Sequence, residues 1–204
     1  CSILSLEGLM KSYRSILILV VSFGYAIARY HLFGDIAWEH FPLFVSNKAL
    51  SLAGLIFLGL SLVQQEKAER KSLGQLGASL IGVHILISFI ILNGEYFEKF
   101  FLYGGLMSFQ AEVSMLAGVL ATVLMCALVL AAPVLGESRA SSKGSLRLGW
   151  GRMILILGAV HVFFMGYAGW MTPQDWPGYM PPITIISFVV AIVFLVRRRK
   201  SVQE

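Results

Sequence analysis

The sequence predicts an all-α integral membrane protein, a single domain built as a bundle of six transmembrane helices. Hydrophobic residues make up 57% of the 204 residues and charged residues only 13%, whereas a soluble domain carries about a quarter charged residues. Six apolar runs recur along the chain, each close to or above the length needed to cross a bilayer. The positions of Lys and Arg alternate with these runs, as they do in multi-pass membrane proteins.

The apolar runs predict the helices in order along one domain, 1–204. Polar clusters, glycine and proline separate the runs and mark the loops. The first two runs are short for a full crossing, so we expect their helices to extend to Ser12 and Phe44. The predicted helices are approximately 12–29, 46–63, 73–92, 112–134, 150–170 and 181–197.

The distribution of basic residues predicts the orientation. With a cytoplasmic N-terminus, thirteen of the sixteen Lys and Arg residues fall inside, and only Arg29, Lys48 and Lys99 fall outside. Both termini are therefore expected in the cytoplasm, and the loops Tyr30–Val45, Asn93–Gln110 and Met171–Pro182 outside. The net charge of +5 follows from this bias, so membrane lipid is an expected partner and nucleic acid is not.

The two cysteines do not indicate a disulfide framework or a zinc site. Cys1 and Cys126 lie far apart, and Cys126 falls inside an apolar run. A chain that begins at Cys1 suggests a processed or truncated start. A lipid-modified Cys1 is the alternative, but it would place the N-terminus outside, against the charge bias.

Two histidines lie deep inside apolar runs, where ionisable side chains are costly and mark function. His84 follows Leu73 by eleven residues, and His161 follows Trp150 by eleven. At 1.5 Å per residue, both lie ~16 Å from the inner edge of a ~30 Å core, at one level. Two opposed imidazoles in an apolar bundle provide the axial iron ligands of a low-spin haem b. Alternatively, each histidine only hydrogen-bonds a neighbouring helix.

Small residues near the histidines predict space for a flat cofactor. Gly77 precedes His84 by seven residues on the same helix face, and Gly158 precedes His161 by three. We therefore predict that Gly77 and Gly158 belong to the cofactor-binding site. Close packing of helices against glycine is the alternative for both.

Four other polar residues have two interpretations each. His31 and His40 in the first outer loop either bind a metal or a substrate or are solvated loop residues, and the second interpretation is favoured. Lys48 and Arg152 either pair with haem propionates or extend their charged ends to the membrane surface, and the second interpretation is again favoured.

Three stretches carry a resemblance to a known family: residues 47–54, residues 73–84, and residues 151–161 with the Val162-Phe163-Phe164 that follows. In these the chain resembles the ferric-reductase-like transmembrane domain family and, within it, the MsrQ (YedZ)-type haem-bearing membrane subunits of bacterial methionine sulfoxide reductase systems. The similarity covers nearly the whole chain. It implies that His84 and His161 ligate a b-type haem, that electrons move from the cytoplasmic side outward, and that the membrane is a bacterial inner membrane.

The chain departs from the two-haem relatives in one respect. Those carry another histidine thirteen residues before the ligand in the fifth helix, where this sequence has Leu148, and the positions thirteen residues from His84 hold Lys71 and Phe97. One haem is therefore expected. We expect no fused FAD or NADPH domain before the end at Glu204, and no glycine-rich dinucleotide fingerprint occurs.

These features favour a membrane cytochrome b that relays electrons, with no catalytic residue of its own. The expected donor is a separate flavoprotein or a quinol, which adds FMN or quinone as a possible second cofactor, and the acceptor is an outer redox protein or partner subunit. The basic stretches 67–71 and 139–152 have two interpretations: they dock the electron donor, or they only determine the orientation of the helices in the membrane. The alternative function is a haem-free structural subunit that scaffolds a larger complex. A hydrolase is disfavoured because neither Gly-x-Ser-x-Gly nor His-Glu-x-x-His occurs.

Overall fold

Six long helices form the protein, and the all-α prediction is confirmed. The computed structural model describes the backbone of residues 2–134 and 141–197 and the side chains of residues 12–130 and 149–197. Within those ranges the chain has no strand beyond one bridge between Phe101 and Met107. The helices are α1 Ser2–Ile27, α2 Ser46–Val63, α3 Lys67–Ile91, α4 Phe109–Val134, α5 Ser141–Gly166 and α6 Ile183–Val196. Each belongs to a helical stretch that is long and apolar enough to cross a membrane; for α6 this stretch begins at Pro177. Cys1, Leu148 and the basic residues at 139–147, which the sequence analysis singled out, lie outside the described side chains.

Four helices begin earlier than predicted, whereas α2 has the predicted bounds. Helix α1 begins at Ser2 rather than at 12 and α4 at Phe109 rather than at 112. Helix α3 begins at Lys67 rather than at 73, and α5 begins at Ser141 rather than at 150. A hydropathy pattern detects the part of a helix that lies in lipid and misses the charged turns beyond it. Lys, Arg, Glu and Ala are strong helix formers, so the charged stretch before Leu73 continues the helix.

The first predicted loop, Tyr30–Val45, is largely helical. A π-helical turn at Ala28–Leu32 continues α1, and a second one at Phe41–Val45 leads into α2 after the short 3₁₀ turn Trp38–His40. The apolar helical stretch consequently reaches from Trp38 to Val63. The first two crossings are therefore longer than their apolar runs, as expected.

The bundle has two distinct ends. At the turn end, residues 64–66 join α2 to α3, and both α1 and α5 begin here. At the loop end lie the longer connections 28–45, 92–108 and 167–182. Because the number of crossings is even, α1 begins and α6 ends at the turn end.

Helices α2 and α5 occupy the centre. Helix α2 packs against α1, α3, α5 and α6, whereas α4 packs mainly against α5. In the described part of the chain, α3 and α4 make no extensive contact with each other. Buried Leu55, Leu155, Ala159 and Ala191 form the core where α2, α5 and α6 meet. Large apolar residues face outward on α3, as lipid contact requires: Leu86, Phe89 and Ile90 are each more than 60% exposed.

Glycines bring α2 and α3 into backbone contact. A Cβ added at Gly77 would lie 2.9 Å from the backbone nitrogen of Leu58 and 3.0 Å from the carbonyl oxygen of Gly54. Such close approach through small residues is common between membrane helices. Gly77 therefore serves helix packing, which was the alternative interpretation for it, because α2 fills the space beside it; its place in a cofactor-binding site stays a prediction.

Candidate functional site

The structure brings His84 and His161 together. His84 projects from α3 and His161 from α5, both half-buried. The two imidazoles are close enough to influence each other electrostatically, and Lys48 of α2 is close enough to influence both. The three side chains therefore lie in the same part of the bundle.

Contacts with α2 give the relative depth of the two histidines. On α3, Gly77 lies against Gly54 and Leu58; on α5, Gly158 lies nearest to Leu55. Counting along each helix from these contacts places His84 and His161 within about one helical turn of the same level. His161 is also midway along the apolar span Gly149–Trp170. The spacing from the inner edge had predicted this common depth.

Asn47 on α2 fixes the His84 ring. Nδ1 of His84 lies 2.6 Å from the Asn47 side-chain oxygen and 3.2 Å from its carbonyl oxygen. The Asn47 amide donates to the Ser88 hydroxyl at 3.1 Å, and that hydroxyl donates to the His84 carbonyl at 2.7 Å. Because Asn47 is buried and its amide orientation is set by Ser88, its oxygen accepts the proton of Nδ1. The lone pair of His84 is then on Nε2.

Ser114 on α4 holds His161 in a similar way. Nδ1 of His161 lies 2.8 Å from the Ser114 carbonyl oxygen, to which it donates. The Ser114 hydroxyl donates to the His161 carbonyl at 2.9 Å. Ser114 is fully buried, so this pairing locks α4 to α5 at the histidine. The lone pair of His161 is also on Nε2.

Both Nε2 atoms are left for a ligand. Within the described residues no hydrogen bond involves Nε2 of His84 or His161, and neither atom is among the enclosed polar atoms that lack a partner. Each Nε2 lone pair is therefore not used by any residue that the structure describes. Histidines that bind a metal usually donate their other ring nitrogen to a carbonyl or carboxylate. Both histidines hydrogen-bond a neighbouring helix, as the alternative interpretation proposed, but those bonds use Nδ1 alone.

Small residues lie beside His161. A Cβ at Gly118 would lie 3.0 Å from Nδ1 of His161, so only glycine lets the ring lie this close to α4. Gly158 has open space on its side, with the Leu55 side chain nearest at 3.9 Å. Sequence reasoning missed Ser114 and Gly118. Their spacing of four places them on one helix face, which is the only signal that the sequence offers for them.

The Lys48 amine packs against two aromatic rings at the loop end. Its Nζ lies 5.0 Å from the centre of the Phe44 ring and 4.6 Å from that of Phe97, on the loop-end side of the two histidines. Arg152 is exposed and lies toward the turn end on α5. The two candidate partners for propionates thus lie on opposite sides of the histidines.

His31 and His40 belong to a separate aromatic cluster at the loop end. The His31 ring stacks on Trp38 with centres 4.1 Å apart, and its Nδ1 lies 2.7 Å from the Ile36 carbonyl oxygen. His40 Nδ1 lies 3.2 Å from the Tyr96 hydroxyl. His31 is therefore packed rather than solvated. No group of three or more metal-type side chains occurs among the described residues, so the structure gives a metal site here no support.

A cavity of about 780 Å³ opens at the turn end. It lies between the turn ends of α1, α2 and α3, with Arg197 after α6 beside it. Arg14 and Arg197 provide basic groups, the segment 64–66 provides polar ones, and buried Phe57 provides part of an apolar wall. A pocket with apolar walls and a few polar groups suits an amphiphilic molecule.

Comparison of the chain with known protein families and with curated proteins gives no match. The resemblance to the ferric-reductase-like family thus depends on the residues of this chain. The arrangement of His84 and His161 is the strongest of these residue-level features, because both rings are held at Nδ1 by a neighbouring helix and no described residue bonds either Nε2.

Proposed function

We propose that this protein is a membrane cytochrome b of the ferric-reductase-like type, which relays single electrons across the bilayer through one bis-histidine haem b. The observation that carries the proposal is the hydrogen bonding of the two histidines. Each Nδ1 is held by a neighbouring helix, and no described residue bonds either Nε2. The haem, when bound, supplies the reversible one-electron couple of its iron.

The residues of the chain orient the two ligands and tune them. Asn47 and Ser114 accept the Nδ1 protons, which fixes each ring and increases the electron donation of Nε2. Because α2 and α4 supply these acceptors while α3 and α5 supply the rings, four helices hold the two ligands. The surrounding apolar side chains exclude water and lower the local dielectric.

The proposed direction of electron flow is from the turn end to the loop end. Of the twelve Lys and Arg residues whose backbone the structure describes, nine lie at the turn end, which favours a cytoplasmic location for that end, in the inner membrane of a bacterium. The turn-end cavity then receives a quinol or the flavin of a separate flavoprotein. The acceptor approaches the loop end, as an outer redox protein, a partner subunit or a soluble oxidant.

The test is the spectrum of the purified protein. We expect a low-spin b-type reduced-minus-oxidised spectrum and about one haem per chain by pyridine haemochrome, as two axial histidines bind one iron. His84→Ala and His161→Ala should each abolish the low-spin signal, while the matched His31→Ala retains it. A normal spectrum in His84→Ala would overturn the ligand assignment. Protein that folds without any haem band would support the haem-free scaffold instead.

A further inference from the structure

Lys48 is an amine close to the two histidines. Its Nζ lies against the rings of Phe44 and Phe97, and His84, His161 and Lys99 are its electrostatic neighbours. In the described part of the chain, no ion pair or hydrogen bond to a carboxylate involves Lys48.

The surroundings of Lys48 therefore favour a bound anion. A charged ammonium inside a membrane protein is costly unless it is paired, and contact with two aromatic faces offsets only part of that cost. Its charged neighbour, Lys99, has the same sign. Glu95 and Glu98, the acidic residues of the same loop, are exposed and form no ion pair with it.

We infer that Lys48, assisted by Lys99, binds the carboxylates of an amphiphilic tetrapyrrole that lies between His84 and His161. This inference depends on the proposed function, because the tetrapyrrole is the haem proposed there. Haem b carries two propionates at one edge and apolar substituents elsewhere. The carboxylate edge then points to the loop end, and the apolar edge points to the side of Leu55 and Gly158.

This orientation is specific to Lys48. Arg152, the other candidate for the propionates, is exposed toward the turn end, on the opposite side of the histidines from Lys48. The apolar contact between Gly158 and Leu55 provides no group for a carboxylate on that side. A haem in the reverse orientation would leave Lys48 unpaired and would place both propionates among apolar side chains.

The experiment compares haem b with its dimethyl ester, in which both carboxylates are neutral. Apo-protein from haem-deficient cells is titrated in detergent with each compound, and binding is followed at the Soret band. We expect the wild type to bind haem b about tenfold more tightly than the ester, since a charge-assisted hydrogen bond contributes at least this much. Lys48→Met should lose most of this preference while it keeps the bis-histidine spectrum.

Three further variants serve as controls. Lys48→Arg keeps the charge and should keep the preference, Lys99→Met should reduce it, and Lys67→Met at the turn end should leave it unchanged. If neither Lys48→Met nor Lys99→Met alters the preference, the lysine assignment is wrong, although haem binding stands. If the wild type shows no Soret shift with either compound, the proposed function itself fails.

Discussion

At the scale of single residues, the sequence identified the two central histidines but not the groups that hold them. His84 and His161 were recognisable because ionisable side chains inside apolar runs are rare. Asn47 and Ser114 were not, because small polar residues in membrane helices commonly hydrogen-bond within their own helix. Only the packing of α2 on α3 and of α4 on α5 shows that these two residues meet the imidazoles.

The two anchoring residues should differ in their effect on the bound haem. Asn47→Leu removes the side-chain acceptor of the His84 Nδ1 proton, so the ring becomes a weaker donor. We expect haem affinity to fall about tenfold and the reduction potential to rise, since loss of such a partner typically costs 10–100-fold. Ser114→Ala should have a small effect, because its backbone carbonyl still accepts the proton of His161. Soret titration and redox potentiometry measure both quantities.

The matched control for these variants is Ser61→Ala. The Ser61 hydroxyl donates to the Leu58 carbonyl within α2 and lies near the turn end. Its removal should leave affinity and potential as in the wild type. Equal losses in Asn47→Leu and Ser114→Ala would contradict the roles assigned to the side-chain oxygen and the backbone oxygen.

At the scale of helices, periodicity predicted the number and order of elements but not which neighbour each face meets. Gly77 shares a face with His84, and that face was assigned to a cofactor. In the structure the same face lies against α2, because Gly54 and Gly77 allow the two backbones to touch. The helical turns at residues 30–32 and 38–43 were missed, because Pro42 and several polar residues interrupt the apolar pattern there.

Two glycine-to-alanine variants in α3 should change stability in opposite directions. Alanine favours a helix by about 1 kcal/mol over glycine, so Gly82→Ala, which meets nothing within 4 Å, should be neutral or stabilising. Gly77→Ala places a methyl group against the backbone of α2 and should destabilise by about 1–3 kcal/mol. Unfolding in detergent micelles, followed by loss of helical circular dichroism, measures both. Equal stability of the two variants would show that the α2–α3 contact is looser than described.

At the scale of the whole molecule, the two ends of the bundle differ in charge and shape. Nine of the twelve Lys and Arg residues with a described backbone lie at the turn end, as does the 780 Å³ cavity, while Lys48, Phe44 and Phe97 lie at the loop end. Length and hydropathy predicted six crossings, and the Lys and Arg bias predicted the orientation. The cavity was not predictable, because it forms only where residues distant in sequence, such as Arg14, Phe57 and Arg197, come together.

The orientation can be tested by labelling single cysteines from each side of the membrane. Ser72 is exposed at the turn end and Tyr103 is exposed at the loop end. In a background with Cys1→Ser and Cys126→Ser, an impermeant maleimide applied to intact cells should label Tyr103→Cys. It should label Ser72→Cys only after the membrane is permeabilised.

The physical reason is that segments rich in Lys and Arg resist translocation, and the turn-end segment around Ser72 contains Lys67, Arg70 and Lys71. The opposite labelling pattern would reverse the topology. Because the cavity lies at the turn end, such a result would also move the proposed donor to the outside and reverse the direction of electron flow.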